Sequence, residues 1–383
     1  MPALSTLAAA PAIGRAEILS TRLLFLIVGF GVAAWAPLVP FVKARAGLDD
    51  GGLGLLLLCL GVGSIAAMPV AGVLIARLGS RLVLLTAVAA IVVTLPILSL
   101  ASDVVLLAAS LLLFGAGMGG LDCLMNLQAV AVERFSGRPM MSGFHGLYSL
   151  GCIVGAAGFS AMLSLGASPS TAAVAVVACI LAALAAALPG LLPGERRGGP
   201  AFAIPRGRVL VLGLLCFAVF LTEGAALDWS AVFLIQERGL GASQAGLGYA
   251  AFSLTMTVGR LTGDAIVREV GRTRIVALGG LIAAAGLVIA TLVPSWQATL
   301  LGYALVGAGC ANIVPVLFTA VGRQRVMPER LAIPAVTTLG YAGVLAGPAA
   351  IGFVAHATSL STALLMVAAL LLGVAASARM VRS

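Results

Sequence analysis

The chain has 383 residues, of which 61% are hydrophobic and only 9% charged, against about 25% charged in a soluble domain. Apolar surface on that scale excludes a soluble globular fold and requires lipid as the solvent. The net charge of +9 sits in short basic clusters between apolar runs, as membrane topology requires; no continuous basic face with aromatics, the mark of a nucleic-acid groove, is present.

In chain order, the stretch Met1 to Ser20 contains Pro11, Arg15 and Glu17 and no cleavable signal before the first apolar run, which is itself long enough to span. Spans are predicted near 22–43, 51–76, 81–101, 104–132, 142–166 and 171–192, then near 208–236, 243–268, 274–293, 297–321, 331–355 and 359–378. Between the two sets lies a polar linker with Glu195, Arg196, Arg197 and Arg206. The expected organisation is an all-α membrane protein of twelve transmembrane helices, with an N-terminal bundle over 1–192, a linker over 193–207 and a C-terminal bundle over 208–383.

Nineteen of the 22 Lys and Arg residues fall on one face of this arrangement, and Lys43, Arg45 and Arg238 on the other. The positive-inside bias therefore puts both termini and the linker in the cytoplasm. Cys59, Cys123, Cys152, Cys179, Cys216 and Cys310 all lie in apolar runs without metal or redox spacing and read as small buried hydrophobes. No metal site and no cofactor is expected.

The two halves repeat. Adding 194 takes Trp35 to Trp229, Gly47 to Gly241, Gly52 to Gly246 and Gly54 to Gly248; adding 192 takes Gly79 to Gly271, Gly115 to Gly307 and Gly117 to Gly309. Ordered pairs at one slowly drifting offset indicate a duplicated membrane unit, and such units are typically transporters.

The loop Gly72-Val-Leu-Ile-Ala76-Arg77-Leu-Gly79-Ser80-Arg81 resembles the G-x-L-x-D-R-x-G-R-[RK] loop of the major facilitator superfamily. Ala76 stands where the family usually has Asp, and Ser80 replaces an Arg. A related stretch, Gly263-Asp264 through Arg268 to Gly271-Arg272, occurs in the second half. The resemblance implies the superfamily fold, two pseudo-symmetric six-helix bundles working by alternating access. The runs Asp122-x-x-x-Asn126-x-Gln128, Glu133-Arg134, Arg138-Pro139, Gly151-x-x-x-Gly155 and Glu223-Gly224 through Asp228-Trp229-Ser230 are similar to the YbjJ-like bacterial branch, itself similar in outline to fucose and hexose proton symporters. Drug antiporters of the superfamily carry an Arg where this chain has Leu111 and a Pro where it has Ala156, which disfavours drug antiport.

Ionisable residues deep in a bilayer are costly and need an explanation. Asp122 lies eleven residues before Glu133, about 17 Å along a helix and near the midplane. Asn126, four residues on, shares its face. Glu223 is similarly deep, Asp228 is nearer the far end, and Gly224 between these acids makes a break in the seventh span plausible. Glu223, then Asp122 and Asp228, are the proton-coupling candidates; the competing reading of each is a polar tie between helices. His145 and Tyr148 share a face at the start of the fifth span, where a relay or a packing role is open. Trp35 and Trp229 occupy equivalent deep positions, as cavity walls or interfacial anchors. With Asn126, Tyr249, Asn312 and Tyr341 they form the candidate substrate lining; Ser253, Thr337 and Thr338 are weaker candidates. Arg77, Arg81, Arg260 and Asp264 are candidate gating charges, with Asp264 supplying the inter-half contact that Ala76 cannot.

The expected function is secondary active transport of a small polar organic solute, sugar-like or similar, coupled to protons across a bacterial inner membrane, by a monomer embedded in the bilayer. Proton-driven efflux of drugs or metabolites is the alternative. An anionic phosphate substrate is disfavoured because Arg is scarce at mid-membrane, and no nucleophile–base pair or cofactor motif suggests an enzyme.

Overall fold

The computed structural model describes residues 13–193, 204–241, 244 and 246–382. Residues 1–12, and residues 194–203 of the expected linker, lie outside the described residues. In lipid every backbone N–H and C=O must be satisfied within its own segment, and among the described residues the chain answers with helices and no strand.

The first span is α1 (Arg15–Ala33), a 3-10 turn (Ala36–Leu38) and α2 (Val39–Ala46). Five continuous helices complete the first half: α3 (Asp50–Leu78), α4 (Ser80–Leu100), α5 (Val104–Ser136), α6 (Met141–Ser164) and α7 (Pro169–Ala187). The second half runs α8 (Gly207–Arg238), α9 (Leu247–Val270), α10 (Arg272–Leu292), α11 (Trp296–Cys310) with α12 (Ile313–Arg323), α13 (Glu329–Ala357) and α14 (Leu360–Ala376). Eleven helical segments among the described residues are long and apolar enough to cross a membrane. The remaining long helix, α9, is made less apolar by Arg260, Asp264, Arg268 and Glu269. Large apolar side chains such as Val105, Leu254 and Phe353 are exposed, as a lipid-facing surface requires.

The breaks differ from expectation. The seventh span, α8, is continuous through Gly224. At that glycine an added Cβ would make only ordinary contact with Val344 of α13. The interruptions lie at Ala34–Leu38, which contains Pro37 and is followed by Pro40, and at Ala311–Asn312, followed by Pro315; a proline cannot donate a helical hydrogen bond.

The repeat is visible in the packing. α3 and α4 pack on α5, α1 on α6, and α4 on α7; their counterparts α9 and α10 pack on α11, α8 on α13, and α10 on α14. Gly79 and Gly271, at φ 91° and 86°, make the same turn in each half. One pairing is corrected: Gly47 corresponds to Gly239, not Gly241, since these two end α2 and α8 at φ 62° and 68°, a left-handed conformation that suits glycine. At Gly151 and Gly155 a side chain would collide with the α1 backbone, and at Gly343 with the α8 backbone, so small residues set these helix separations.

Two seams join the halves, α6 against α9 and α3 against α13. Each runs over glycines. Leu345 sits over Gly61, Pro334 over Gly72, Leu261 over Gly146, and Ser142 with Asn312 over Gly263. Polar contacts between the halves gather toward the face where α1 begins and α14 ends, called the terminal face below.

Candidate transport site

Glu223 stands at the middle of α8. Its Oε1 accepts a 2.8 Å hydrogen bond from Nη2 of Arg260 on α9, forming an ion pair. Arg260 also donates through Nη1 to Ser149 Oγ of α6 at 3.1 Å and through Nε to the Ala311 carbonyl at 3.4 Å. That carbonyl is free for a covalent reason. Pro315, four residues on, has no N–H to give it. A guanidinium this deep is tolerable only when its fork of donors is well matched, and here three groups from three helical segments match it. The Arg260 side chain is 7% exposed and that of Glu223 21%, so the carboxylate is the accessible partner.

Three tyrosines lie within electrostatic range of the pair. Tyr148 lies within electrostatic range of Arg260, and Tyr249 and Tyr341 within range of Glu223. Asp122 is within range of Tyr148 and Tyr341. Candidates from α5, α6, α8, α9 and α13 therefore converge on one region. Asn126 Nδ2 donates to the Asp122 carbonyl at 2.9 Å and to its carboxylate at 3.4 Å, so these bonds stay within α5, and Asn126 Oδ1 has no partner.

The remaining candidates are more dispersed. His145 is buried between Phe25 and Phe318, with ring centroids at 5.1 and 5.9 Å and Nε2 unpartnered. Tyr249 stacks on Phe252 and Tyr341 meets Phe220 edge-on. Trp35 is buried in the break of the first span, and Trp229 packs against Gly352; neither indole N–H has a partner. Asn312 begins α12 and donates to the Gly259 carbonyl at 3.0 Å. Asp228 is exposed, while Thr337 and Thr338 bond only to their own helix. Arg77 and Arg81 are exposed and hydrogen-bond to none of the described residues.

Asp264 lies one turn from Arg260 but serves another contact. Its Oδ2 accepts from the Gly143 N–H at 3.0 Å, in the first turn of α6. Glu133 occupies the same helix start from its own half, accepting from the N–H groups of Met140 and Met141 at 2.9 and 2.8 Å and from Thr319 Oγ1 of α12 at 2.5 Å. Arg134 pairs with Glu329 at 2.5 Å nearby. Together these contacts join the two halves at the terminal face.

This architecture matches known proteins. The profile of the Major Facilitator Superfamily matches residues 22–332. The chain belongs to that superfamily. Among its relatives, an uncharacterised MFS-type transporter of Yersinia pestis is 55% identical over 370 residues, covering 96% of each chain. Membrane protein MosC of Rhizobium meliloti is 33% identical over 349 residues, covering 90% of this chain and 85% of that one. The fold is similar to the crystal structure of the E. coli fucose:proton symporter FucP, with a TM-score of 0.80 at 17% identity over 96% of this chain and 98% of that one. It is also similar to the human organic anion transporter MFSD10, with a TM-score of 0.75 at 16% identity over 96% and 99%. The chain is thus a multi-pass membrane transporter of the superfamily.

Several residues carry more than their sequence position suggested. Arg260 was counted among the charges of the terminal face, yet it reaches Glu223 and leaves a cation in the interior. Glu133 was only a marker of a helix end, and it is buried. The signal was present: α6 starts at Met141, and the residue before it, Met140, has no side chain that can cap, so its first N–H groups needed an acceptor from elsewhere. Arg45 and Arg238 were also passed over. Arg45 donates to the carbonyls of Leu98, Ser99 and Ala101 at the end of α4, and Arg238 to those of Ala290 and Thr291 at the end of α10.

Proposed function

We propose that this superfamily member is a proton-coupled secondary transporter of a small polar organic solute, sugar-like or similar, with Glu223 as the protonation site. The observation that carries this reading is the Glu223–Arg260 ion pair, set in mid-membrane and hydrogen-bonded across the halves to Ser149. Protonation of Glu223 removes its charge and loosens Arg260, and with it the bond to Ser149 that ties the halves. Occupancy of one carboxylate is thereby linked to the relative position of two bundles, which is what coupling requires. Asp122 is the second candidate, and the tyrosine hydroxyls and Asn126 supply donors and acceptors suited to a hydroxylated solute. The likeness to a fucose:proton symporter supports the same reading at the level of fold.

In this proposal the halves 1–192 and 208–383 rock about the site, joined by the linker 193–207. The basic bias puts the terminal face in the cytoplasm, and the bacterial relatives support an inner-membrane location. Proteoliposome flux under an imposed pH gradient, screened over sugars, amino acids and aromatic acids, tests it. Glu223→Gln is expected to abolish uphill uptake while retaining counterflow exchange. Uphill uptake unchanged in both Glu223→Gln and Asp122→Asn would remove proton coupling, and no flux with any class would remove the small-solute reading.

A further inference from the structure

A cavity of about 510 Å³ opens at the terminal face, lined by none of the residues of the ion pair. It lies within the size range of small-ligand sites, about 300–1,000 Å³. Pro139, from the loop before α6, forms one wall; the α9–α10 turn and the end of the chain form the others, contributing Arg268, Gly271, Arg272, Thr273 and Arg382. The geometry points to a binding site for a phosphoryl group, carried by an anionic phospholipid headgroup or by free phosphate.

Three features converge. First, the guanidinium groups of Arg268, Arg272 and Arg382 donate no hydrogen bond and form no ion pair among the described residues; the same holds for Arg77 and Arg81, but Arg268, Arg272 and Arg382 line one cavity together. Arg323 adds a further positive charge within electrostatic range of Arg272. Glu133 is also in range, but its oxygens are taken up by Met140, Met141 and Thr319. Glu269 adjoins Arg268 in sequence, yet successive helical residues point apart.

Second, α10 begins inside the cavity wall with Gly271 as its cap, and no side chain accepts from its first N–H groups. A helix start carries partial positive charge and favours an anion. The first turn here holds no acid and two arginines, Arg272 and Arg274, the opposite of what the helix dipole favours. An anion in the cavity would relieve both the dipole and the arginines. Third, the site is positioned in advance. Arg208 of α8 donates through Nε to the main-chain carbonyl of Met380 at 2.8 Å, fixing the 3-10 turn (Ser377–Val381) that leads to Arg382. Planar guanidinium forks suit phosphoryl oxygens.

Thermal unfolding of the purified full-length chain in neutral detergent tests the site, with chloride holding ionic strength constant. The probes are short-chain phosphatidylglycerol, phosphatidylcholine of the same chain length, and inorganic phosphate. An anionic probe is expected to raise the melting temperature saturably where phosphatidylcholine does not, with binding weakened about tenfold, which is about 1.4 kcal/mol, in Arg268→Gln/Arg272→Gln. Arg382→Gln, beyond the last transmembrane helix, is expected to weaken it less and keeps the test open if the double variant does not fold. Phosphatidylglycerol acting below the concentration at which phosphate acts assigns a lipid headgroup; the reverse order assigns free phosphate. No shift beyond that of phosphatidylcholine, or equal shifts in wild type and variants, overturns the site.

Discussion

Arg260 concentrates the chemistry of the interior in one side chain, because its fork joins Glu223, Ser149 and the Ala311 carbonyl. Removing one member of a buried pair leaves the other uncompensated and typically costs about 3–5 kcal/mol. Arg260→Gln is therefore expected to lower the melting temperature in detergent, and Glu223→Gln in the same chain to recover most of the loss. A double variant no more stable than the single one would show that the two residues do not act as a pair. Arg260→Lys keeps the charge but cannot reach all three acceptors, so proton-driven flux should fall while the protein stays folded. The depth of Glu223 was legible by counting along its helix. Its partner was not, because which face α9 turns toward α8 depends on how the two helices are rotated, and a single chain does not encode that in any short spacing.

At the scale of helices, Arg45 and Arg238 do the same work twice. Each crosses from the end of the first span of its half to the terminal carbonyls of the third, α4 or α10, which are partly buried. Those terminal carbonyls have no partner within the helix. Replacing either arginine by Ala should cost about 1–3 kcal/mol by stranding them. The two losses should add within about 0.5 kcal/mol because the sites are distant. Chemical denaturation in detergent of the single and double variants would measure this. The pair was readable, since 45 and 238 fit the repeat offset, but glycines and tryptophans drew attention away from it. Helix-packing glycines were better legible. Gly155→Leu on the α1 contact is expected to destabilise by about 1–3 kcal/mol or more through overpacking, read out as reduced yield and a lower melting temperature.

For the whole molecule, the twelve-span plan was legible because lipid forces long apolar helices and duplication wrote the plan twice. The junction of the halves at the terminal face was less so, since it depends on a helix start shared by carboxylates of both halves, Glu133 and Asp264. Asp264→Asn should loosen that junction. Peptide mapping of a Ser142→Cys variant should then show severalfold faster maleimide labelling than in the otherwise unchanged chain, and an equal rate would argue that Asp264 does not hold this gate. The seam glycines bear on what happens once the gate lets go. Knobs such as Leu345, Pro334 and Leu261 ride over Gly61, Gly72 and Gly146, where no side chain interlocks with them. Interdigitated side chains would have to change rotamer at each step of a sliding motion, adding roughness to the path. A knob on bare backbone does not, so these two seams are expected to act as low-friction bearings in the proposed rocking motion, and a bulky residue at Gly61 or Gly146 is expected to slow turnover, read out as a lower flux from protein reconstituted at equal amount.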